Sequence, residues 1–422
     1  MKRFTFAHIT IGIWFFLLLG ADLKVSIHSY IHWGVSILVF ALLFPYVLRF
    51  RGYFGHPIHW FVISMAILLM ASILLSSLNS DNALYGVGQA LKIGLILLLA
   101  FGLMLSRPTW ALIGFSSIQA AVWANFILLV LGLFMNPIFA SQMASDGRWG
   151  TFLNHPGSLW RVGILVLVFS AYVYYYRRKD FRYLALLVVG LCLIYADSSR
   201  TGFIITMIAV FYTILLLILE QRRRLLATSL FICAVLGIAV LIGVLAFSGD
   251  LVNRLLPQRA AETLQAITSA NLESADPTRF RMLQAASQAI AEHPLWGTGI
   301  GTTRADTDVG PMVVHNTYLQ VWSDLGLLGF LAYLGLVIGW VAWLPRFFLI
   351  VSRQGNVILR GLYYNAAFLL FFYALTSLFH PLSTEWSEWI TFMLPFALYA
   401  QALQQYERNH EESGFQYSHN YI

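Results

Sequence analysis

The chain has 422 residues, 59% of them hydrophobic and 11% charged. Soluble domains carry about 25% charged residues, so this composition, with a mean hydropathy of +0.73, excludes a soluble fold and points to membrane spans of about 20 residues. The net charge of +7 does not indicate nucleic acid. No soluble segment carries a basic stripe with interleaved aromatics, and in a membrane protein a Lys/Arg excess reflects the cytoplasmic-side bias.

In chain order, apolar runs predict spans over 6–21, 31–48, 58–77, 84–105, 109–135, 158–176, 183–197, 200–219, 225–247, 326–350, 358–379 and 388–405. The expected fold class is all-α, a polytopic transmembrane helical protein of about 12 helices. The first run follows Met1, Lys2 and Arg3 and opens like a signal peptide. Its polar end at Asp22, Leu23 and Lys24 has no small-residue cleavage site, so it reads as an uncleaved first helix.

Lys/Arg placement sets the orientation. With the N-terminus inside, the cytoplasmic side holds Lys2, Arg3, Arg49, Arg51, Arg107, Arg177, Arg178, Lys179 and Arg182. It also holds Arg222, Arg223, Arg224, Arg346, Arg353, Arg360 and Arg408, which makes a majority of the 26 basic residues. Both termini are then cytoplasmic. The chain divides into helices over 1–247, a large outer loop over 248–325, further helices over 326–405 and a tail over 406–422.

Two outer connections are long, 136–157 and 248–325. The second, at roughly 80 residues, far exceeds the usual 4–6. It is not of low complexity. Asp276 and Pro277 read as a helix N-cap and first helical residue. Phe280, Leu283, Ser287 and Ile290 recur at helical spacing, and the helix stops before Pro294. The loop is thus expected to hold an ordered helix packed on the membrane domain. No internal repeat is evident. Cys192 and Cys233 sit inside apolar runs without metal-ligand spacing, and no cofactor or metal is expected.

Several polar residues stand where a lipid-facing helix would not carry them. Lys92 lies within the fourth run. A charge at the bilayer centre costs roughly 2.5–3.5 kcal/mol on insertion scales, so it either snorkels to the outer interface or serves a site. Asp197, Ser198, Ser199, Arg200, Thr201 and Gly202 form an outer turn where a helix starts. Arg200 at that positive helix end is locally unfavourable, which suits either a bound anion or neutralisation by Asp197. Arg279 and Arg281 repeat the pattern in the first turn of the loop helix. They fit a diphosphate-sized anion or a solvated charged face. His315 closes the long loop, where an imidazole can act as general acid or base or remain an ordinary interfacial side chain. Arg148 is a further outer cation, in a stretch that also reads as a structural turn. His380 and Glu385, in the last outer loop, are weaker candidates. There is no P-loop, nucleotide fingerprint or zinc motif, so an ATP-driven pump is not expected. Transfer chemistry on the outer face needs a preactivated donor.

These residues together resemble the O-antigen ligase/O-antigen polymerase superfamily of bacterial envelope glycosyltransferases. The family pattern H-[NSQ]-x9-G-x-x-[GTY] is matched by His315, Asn316, Gly326 and Gly329. The family's Ser-Arg-Thr/Gly stretch is similar to Ser199, Arg200, Thr201 and Gly202. Its R-x-x-x-W and H-P-L-x-G-x-G-x-G loop is similar to Arg279 onward and to His293, Pro294, Leu295, Gly297, Gly299 and Gly301. Leu283 departs from the pattern, standing where Trp is common.

The resemblance implies a multi-pass protein of the bacterial inner membrane with a periplasmic active site. It implies metal-independent, inverting transfer of a glycan from undecaprenyl diphosphate, within a setting of membrane lipids and no nucleic acid. Arg200 and Arg279 would bind the diphosphate and His315 would deprotonate or orient the acceptor hydroxyl. Lys92, Arg148, Arg281 and Asn316 complete the candidate substrate-binding set. The H-N-x9-G-x-x-G match favours a ligase, whose acceptor is lipid A–core oligosaccharide. The alternatives within the family are an O-antigen polymerase and a protein O-oligosaccharyltransferase. Polymerases often carry R-x10-G patterns, which Arg148, Arg200, Arg279 and Arg304 do not begin. The non-enzyme alternative is a lipid-linked oligosaccharide transporter, for which midplane charges and internal symmetry are the usual signs.

Overall fold

The computed structural model describes residues 6–20, 29–49, 57–78, 80, 83–105, 108–143, 147–177, 180–220, 277–307, 310–382 and 386–419. The expected span over 225–247, the first part of the long loop up to Asp276, and Cys233 lie outside the described residues.

The described chain is mostly helical. In order it forms α1 (Phe6–Leu19), α2 (Ser29–Arg49), α3 (Pro57–Leu78), α4 (Ala83–Leu105) and α5 (Pro108–Phe134). A β-hairpin of β1 (Ala140–Met143) and β2 (Arg148–Thr151) follows. Next come α6 (Leu159–Ile164), α7 (Leu167–Tyr176), α8 (Phe181–Asp197) and α9 (Arg200–Glu220). Beyond residue 276 lie α10 (Pro277–Glu292), a second hairpin of β3 (Arg304–Thr307) and β4 (Gly310–Val313), and α11 (Thr317–Ile338). A 3-10 turn over Gly339–Trp343 leads into α12 (Leu344–Ser352), α13 (Val357–Thr376) and α14 (Trp386–His419).

Seven segments among the described residues are long and apolar enough to cross a membrane: Pro57–Leu78, Ala83–Leu105, Trp110–Phe134, Leu159–Tyr176, Thr201–Glu220, Thr317–Ser352 and Val357–Thr376. This is a polytopic helical membrane protein. Of the other expected spans, the first two correspond to α1 (Phe6–Leu19) and α2 (Ser29–Arg49). The 183–197 span is the 17-residue α8, and 388–405 lies within α14.

The chain divides into two compact units. The first comprises Met1–Val39, Leu112–Ala275 and Gln354–Phe368; the second comprises Phe40–Ala111, Asp276–Arg353 and Leu369–Ile422.

In the first unit a membrane-crossing segment is broken between α6 and α7. The break would leave backbone groups unpaired in an apolar medium, a cost of several kcal/mol each. Asn365 mends it: its Nδ2 donates to the Leu165 carbonyl (2.9 Å) and its Oδ1 accepts from the Phe169 N–H (3.1 Å). Beside the break α6 and α8 approach closely, because Gly163 leaves no room for a Cβ against the Gly190 carbonyl, as small residues allow between spans. The 136–157 connection contains the β1–β2 hairpin, with Met143 opposite Arg148 and Ala140 opposite Thr151. Thr151 Oγ1 donates to the buried Asn125 Oδ1 (2.5 Å), which anchors the hairpin on α5.

In the second unit α3, α4, α11 and α14 pack together, and α11 is not one continuous helix. Gly326 has φ 71° and ψ −173°, so α11 is two helices meeting at a kink. A Cβ at Gly326 would overlap the Leu295 carbonyl. Both the left-handed φ and the close approach require glycine here. The expected tenth span, starting at 326, corresponds to the second half of α11. The loop helix α10 starts at Pro277 and ends before Pro294 as the sequence suggests. Its buried face is turned from the expected stripe, however. Met282 and Ala286 are buried against Ala305 and Val314, whereas Leu283 is 46% exposed.

Gly326→Ala should therefore destabilise the protein by at least about 2 kcal/mol, from backbone strain plus the clash. The test is the thermal midpoint in detergent. Gly355→Ala is the control: nothing lies within 4 Å of a Cβ built there, and an exposed change of this kind stays within about 0.5 kcal/mol.

Candidate active site

The break in α11 is filled by the glycine-rich loop that follows α10. The first half of α11 ends with free carbonyls and the second half begins with free N–H groups. Thr298 N–H donates to the Ser323 carbonyl (3.1 Å) and Gly299 N–H to the Asp324 carbonyl (2.8 Å), while Leu327 N–H donates to the Pro294 carbonyl (3.0 Å). Gly297, with φ 69°, has no space for a Cβ beside the Asp324 carbonyl.

Asp324 completes this joint. Its fully buried carboxylate accepts from Gly301 N–H (2.8 Å), Thr303 N–H (3.1 Å) and Gln320 Nε2 (3.3 Å). A buried carboxylate is costly unless hydrogen-bonded, and here backbone donors do the solvating. The sequence reading gave Asp324 no role. Its signal was a carboxylate in an apolar run two residues before a motif glycine.

The loop leads directly to His315. After Thr303 the chain enters β3, which pairs with β4 so that Arg304 faces Val313. His315 Nδ1 lies 2.8 Å from the Val313 carbonyl. A carbonyl only accepts, so Nδ1 carries a proton, and in the neutral imidazole Nε2 is then the nitrogen with the lone pair. The half-buried imidazole is thus held in the tautomer that a general base needs. Asn316 is the N-cap of α11, its Oδ1 accepting from Leu319 N–H (3.1 Å). Its motif position thus has a structural reason. The first turn of α11 is pinned further by Thr317 N–H to the Ser377 carbonyl (2.7 Å), Thr317 Oγ1 to the His380 carbonyl (2.7 Å) and Leu382 N–H to Gln320 Oε1 (2.6 Å). Arg279 and Arg281 are exposed in the first turn of α10, the helix that packs on this hairpin and on Leu319.

The first unit holds a different constellation. Asp197, the last residue of α8, is fully buried. Its carboxylate accepts from Arg148 Nη2 (2.6 Å) and Nε (3.1 Å), from Gly157 N–H (2.9 Å) and from Trp160 N–H in the first turn of α6 (2.9 Å). Arg148 also donates to the Asp197 backbone carbonyl (3.0 Å). The sequence reading left Asp197 as a possible counter-ion for Arg200; the structure pairs it with Arg148. The following Ser198 has φ 56°, a strained conformation for a residue with a side chain. Ser199 Oγ then accepts from Gly202 N–H (3.3 Å), capping α9. Gly202 lies against the Trp160 ring. Arg200 is the first residue of α9; its side chain lies outside the described residues.

Lys92 is partly buried within α4. On the other side of that helix is an apolar cavity of about 650 Å³. It is lined by Met70 of α3, Gly94, Leu97 and Phe101 of α4, Leu336 of α11 and Phe392 of α14, among other apolar residues.

Residues 184–334 match the family model described as O-antigen ligase. The match covers about a third of the chain and supports the O-antigen ligase/polymerase superfamily. The matched stretch runs from α8 through most of α11. It contains Arg200, Arg279, Arg281, His315, Asn316, the glycine loop and Gly326; Lys92 and Arg148 lie outside it. No curated protein matches the chain. O-antigen ligase family members are glycosyltransferase-like enzymes, which supports an enzyme of this general kind acting on lipid-linked glycans.

Variants at two positions within the matched stretch separate structure from chemistry. Asn316→Ala should cost about 1 kcal/mol through loss of the cap, and Asn316→Asp should recover it, both read as thermal midpoints. Asp197→Ala removes the carboxylate partner of Arg148, which keeps only the backbone carbonyl of residue 197, and leaves two N–H groups unpaired in a buried setting. It should destabilise by about 3–5 kcal/mol, and the Asp197→Ala/Arg148→Ala double variant should lose less than the sum of the singles.

Proposed function

We propose that this protein is an O-antigen ligase that transfers a glycan from undecaprenyl diphosphate to lipid A–core oligosaccharide on the periplasmic face of the inner membrane. The observation that carries the reading is His315, whose Nδ1–H is committed to the Val313 carbonyl so that Nε2 is the free base. The family match over 184–334 supports the donor class, and the motif beginning at His315 supports the ligase branch.

The reaction follows from these roles. The acceptor hydroxyl attacks the anomeric carbon as the bond from that carbon to the diphosphate oxygen breaks on the opposite face, which inverts the centre. The hydroxyl proton passes to His315 Nε2. The departing diphosphate carries the bond pair, and Arg279 with Arg281 would offset its growing charge; the same role for Arg200 is what the resemblance implies. Bidentate guanidinium contacts suit such an anion. The long outer loop, expected over 248–325, would carry the site, and the spans would hold the lipid portions of both substrates in the bilayer.

The test uses a ligase-deficient Gram-negative host with a compatible core, read on a lipopolysaccharide gel. Wild-type protein should restore the polymer ladder. His315→Ala, present in the membrane at normal level, should lose about 10²–10⁴-fold in rate, and Arg279→Ala about 10²–10³-fold. A full ladder from His315→Ala would falsify the base assignment. Bare core with accumulating lipid-linked polymer from the wild type would overturn the ligase reading, and protein or polymer acceptors would be tried next.

A further inference from the structure

Helix α4 carries a polar stripe on an otherwise apolar span. Tyr85, Gln89 and Lys92 stand at positions i, i+4 and i+7 and so share one face. The stripe runs about 10 Å along the axis at 1.5 Å per residue. Its outer end meets the glycine loop: the Tyr85 ring lies 3.6 Å from where a Cβ of Gly301 would stand. The N–H of that same Gly301 is held by Asp324. Beside the stripe, nothing lies within 4 Å of a Cβ built on Gly88, one turn before Lys92. The apolar cavity borders the opposite side of α4, through Gly94, Leu97 and Phe101.

Gln89 is the anomaly in this stripe. It is only 7% exposed, and its Oε1 has no hydrogen-bond partner among the described residues. A buried unpaired acceptor costs about 1–3 kcal/mol, and such a group in a native structure calls for an explanation. Oε1 only accepts, so its missing partner is a hydroxyl or N–H. Lys92, one turn deeper on the same face, supplies a positive charge inside a span, where ionisable residues mark substrate paths. A ligand that pairs with Gln89 and lies against the Lys92 charge presents a hydroxyl within about 5–6 Å of an anion, which is the chemistry of a sugar phosphate.

We infer that Gln89 and Lys92 form a donor subsite in which Lys92 holds the phosphate nearest the sugar and Gln89 accepts a hydrogen bond from a hydroxyl of that first sugar. The inference rests on the lipid-linked donor of the proposed function and adds to it a residue that reads the sugar. Lys92 then contributes to binding of any polyprenyl diphosphate, and Gln89 only to one bearing a glycan.

Binding separates these roles without depending on the acceptor. Purified full-length protein in nanodiscs is titrated with undecaprenyl diphosphate and with the lipid-linked glycan extracted from the native host. Wild type should bind the glycan-bearing lipid more tightly. Gln89→Leu should lose about 2- to 10-fold on that ligand alone, the worth of one hydrogen bond, with a thermal midpoint equal to or above wild type because an unpaired amide has been removed. Lys92→Met should weaken both ligands by the same factor. Unchanged preference in Gln89→Leu, or a lowered midpoint showing the amide to be structural, overturns the subsite. Failure of wild type to bind either lipid overturns the donor reading itself.

Discussion

The second unit depends on one exchange of backbone hydrogen bonds, between the broken middle of α11 and the loop after α10. A break in a membrane helix exposes carbonyls on one side and N–H groups on the other, and an apolar medium cannot satisfy them. Here the loop supplies donors to the Ser323 and Asp324 carbonyls and an acceptor to Leu327. The Asp324 side chain then binds Gly301 and Thr303. Loop, hairpin and half-helix therefore form one rigid joint, and His315 is held within it from both sides. The imidazole is oriented by its hydrogen bond to the Val313 carbonyl, and a base proposed at that position would need no reorganisation during reaction.

Glycines make the joint possible, for reasons the spacing of the motif does not reveal. Gly326 turns the chain with a left-handed φ and lies against the Leu295 carbonyl, while Gly297 lies against the Asp324 carbonyl. Gly329, the last motif position, admits α3, since a Cβ there would stand 3.3 Å from Ser72 Cβ. The motif residues between His315 and Gly329 thus describe a helix that caps, breaks and restarts. The proposed base stands just ahead of that helix, and the other motif residues shape the helix behind it.

Much of the scaffold was legible in the sequence because its signals are local. Hydropathy located the seven membrane-length segments found among the described residues, and Pro277 and Pro294 bracketed α10. What was hidden is long-range. Arg148, which pairs with Asp197, is 49 residues away, beyond the reach of any local pattern. Hydropathy starts a span at Gly326 but does not show that a helix already runs from Thr317 into the break, and the carboxylate that bridges it pairs with amides 21 and 23 residues earlier. The buried face of α10 was misjudged because Leu283 outweighs Met282 and Ala286 in hydrophobic counting. The helix instead presents small residues, Ala286 against Ala305, where close approach matters more than bulk.

The mended break between α6 and α7 bears on how the chain is made. Asn365 donates to Leu165 and accepts from Phe169, at sequence separations of 200 and 196 residues. A ribosome adding about 5–20 residues per second needs roughly 10–40 s to make that stretch. For that interval the segment carrying α6 and α7 enters the bilayer with its break unbridged. The first unit therefore cannot settle as its early spans insert. Its biogenesis closes late and from the C-terminal side, when the span that carries Asn365 returns to a helix made long before.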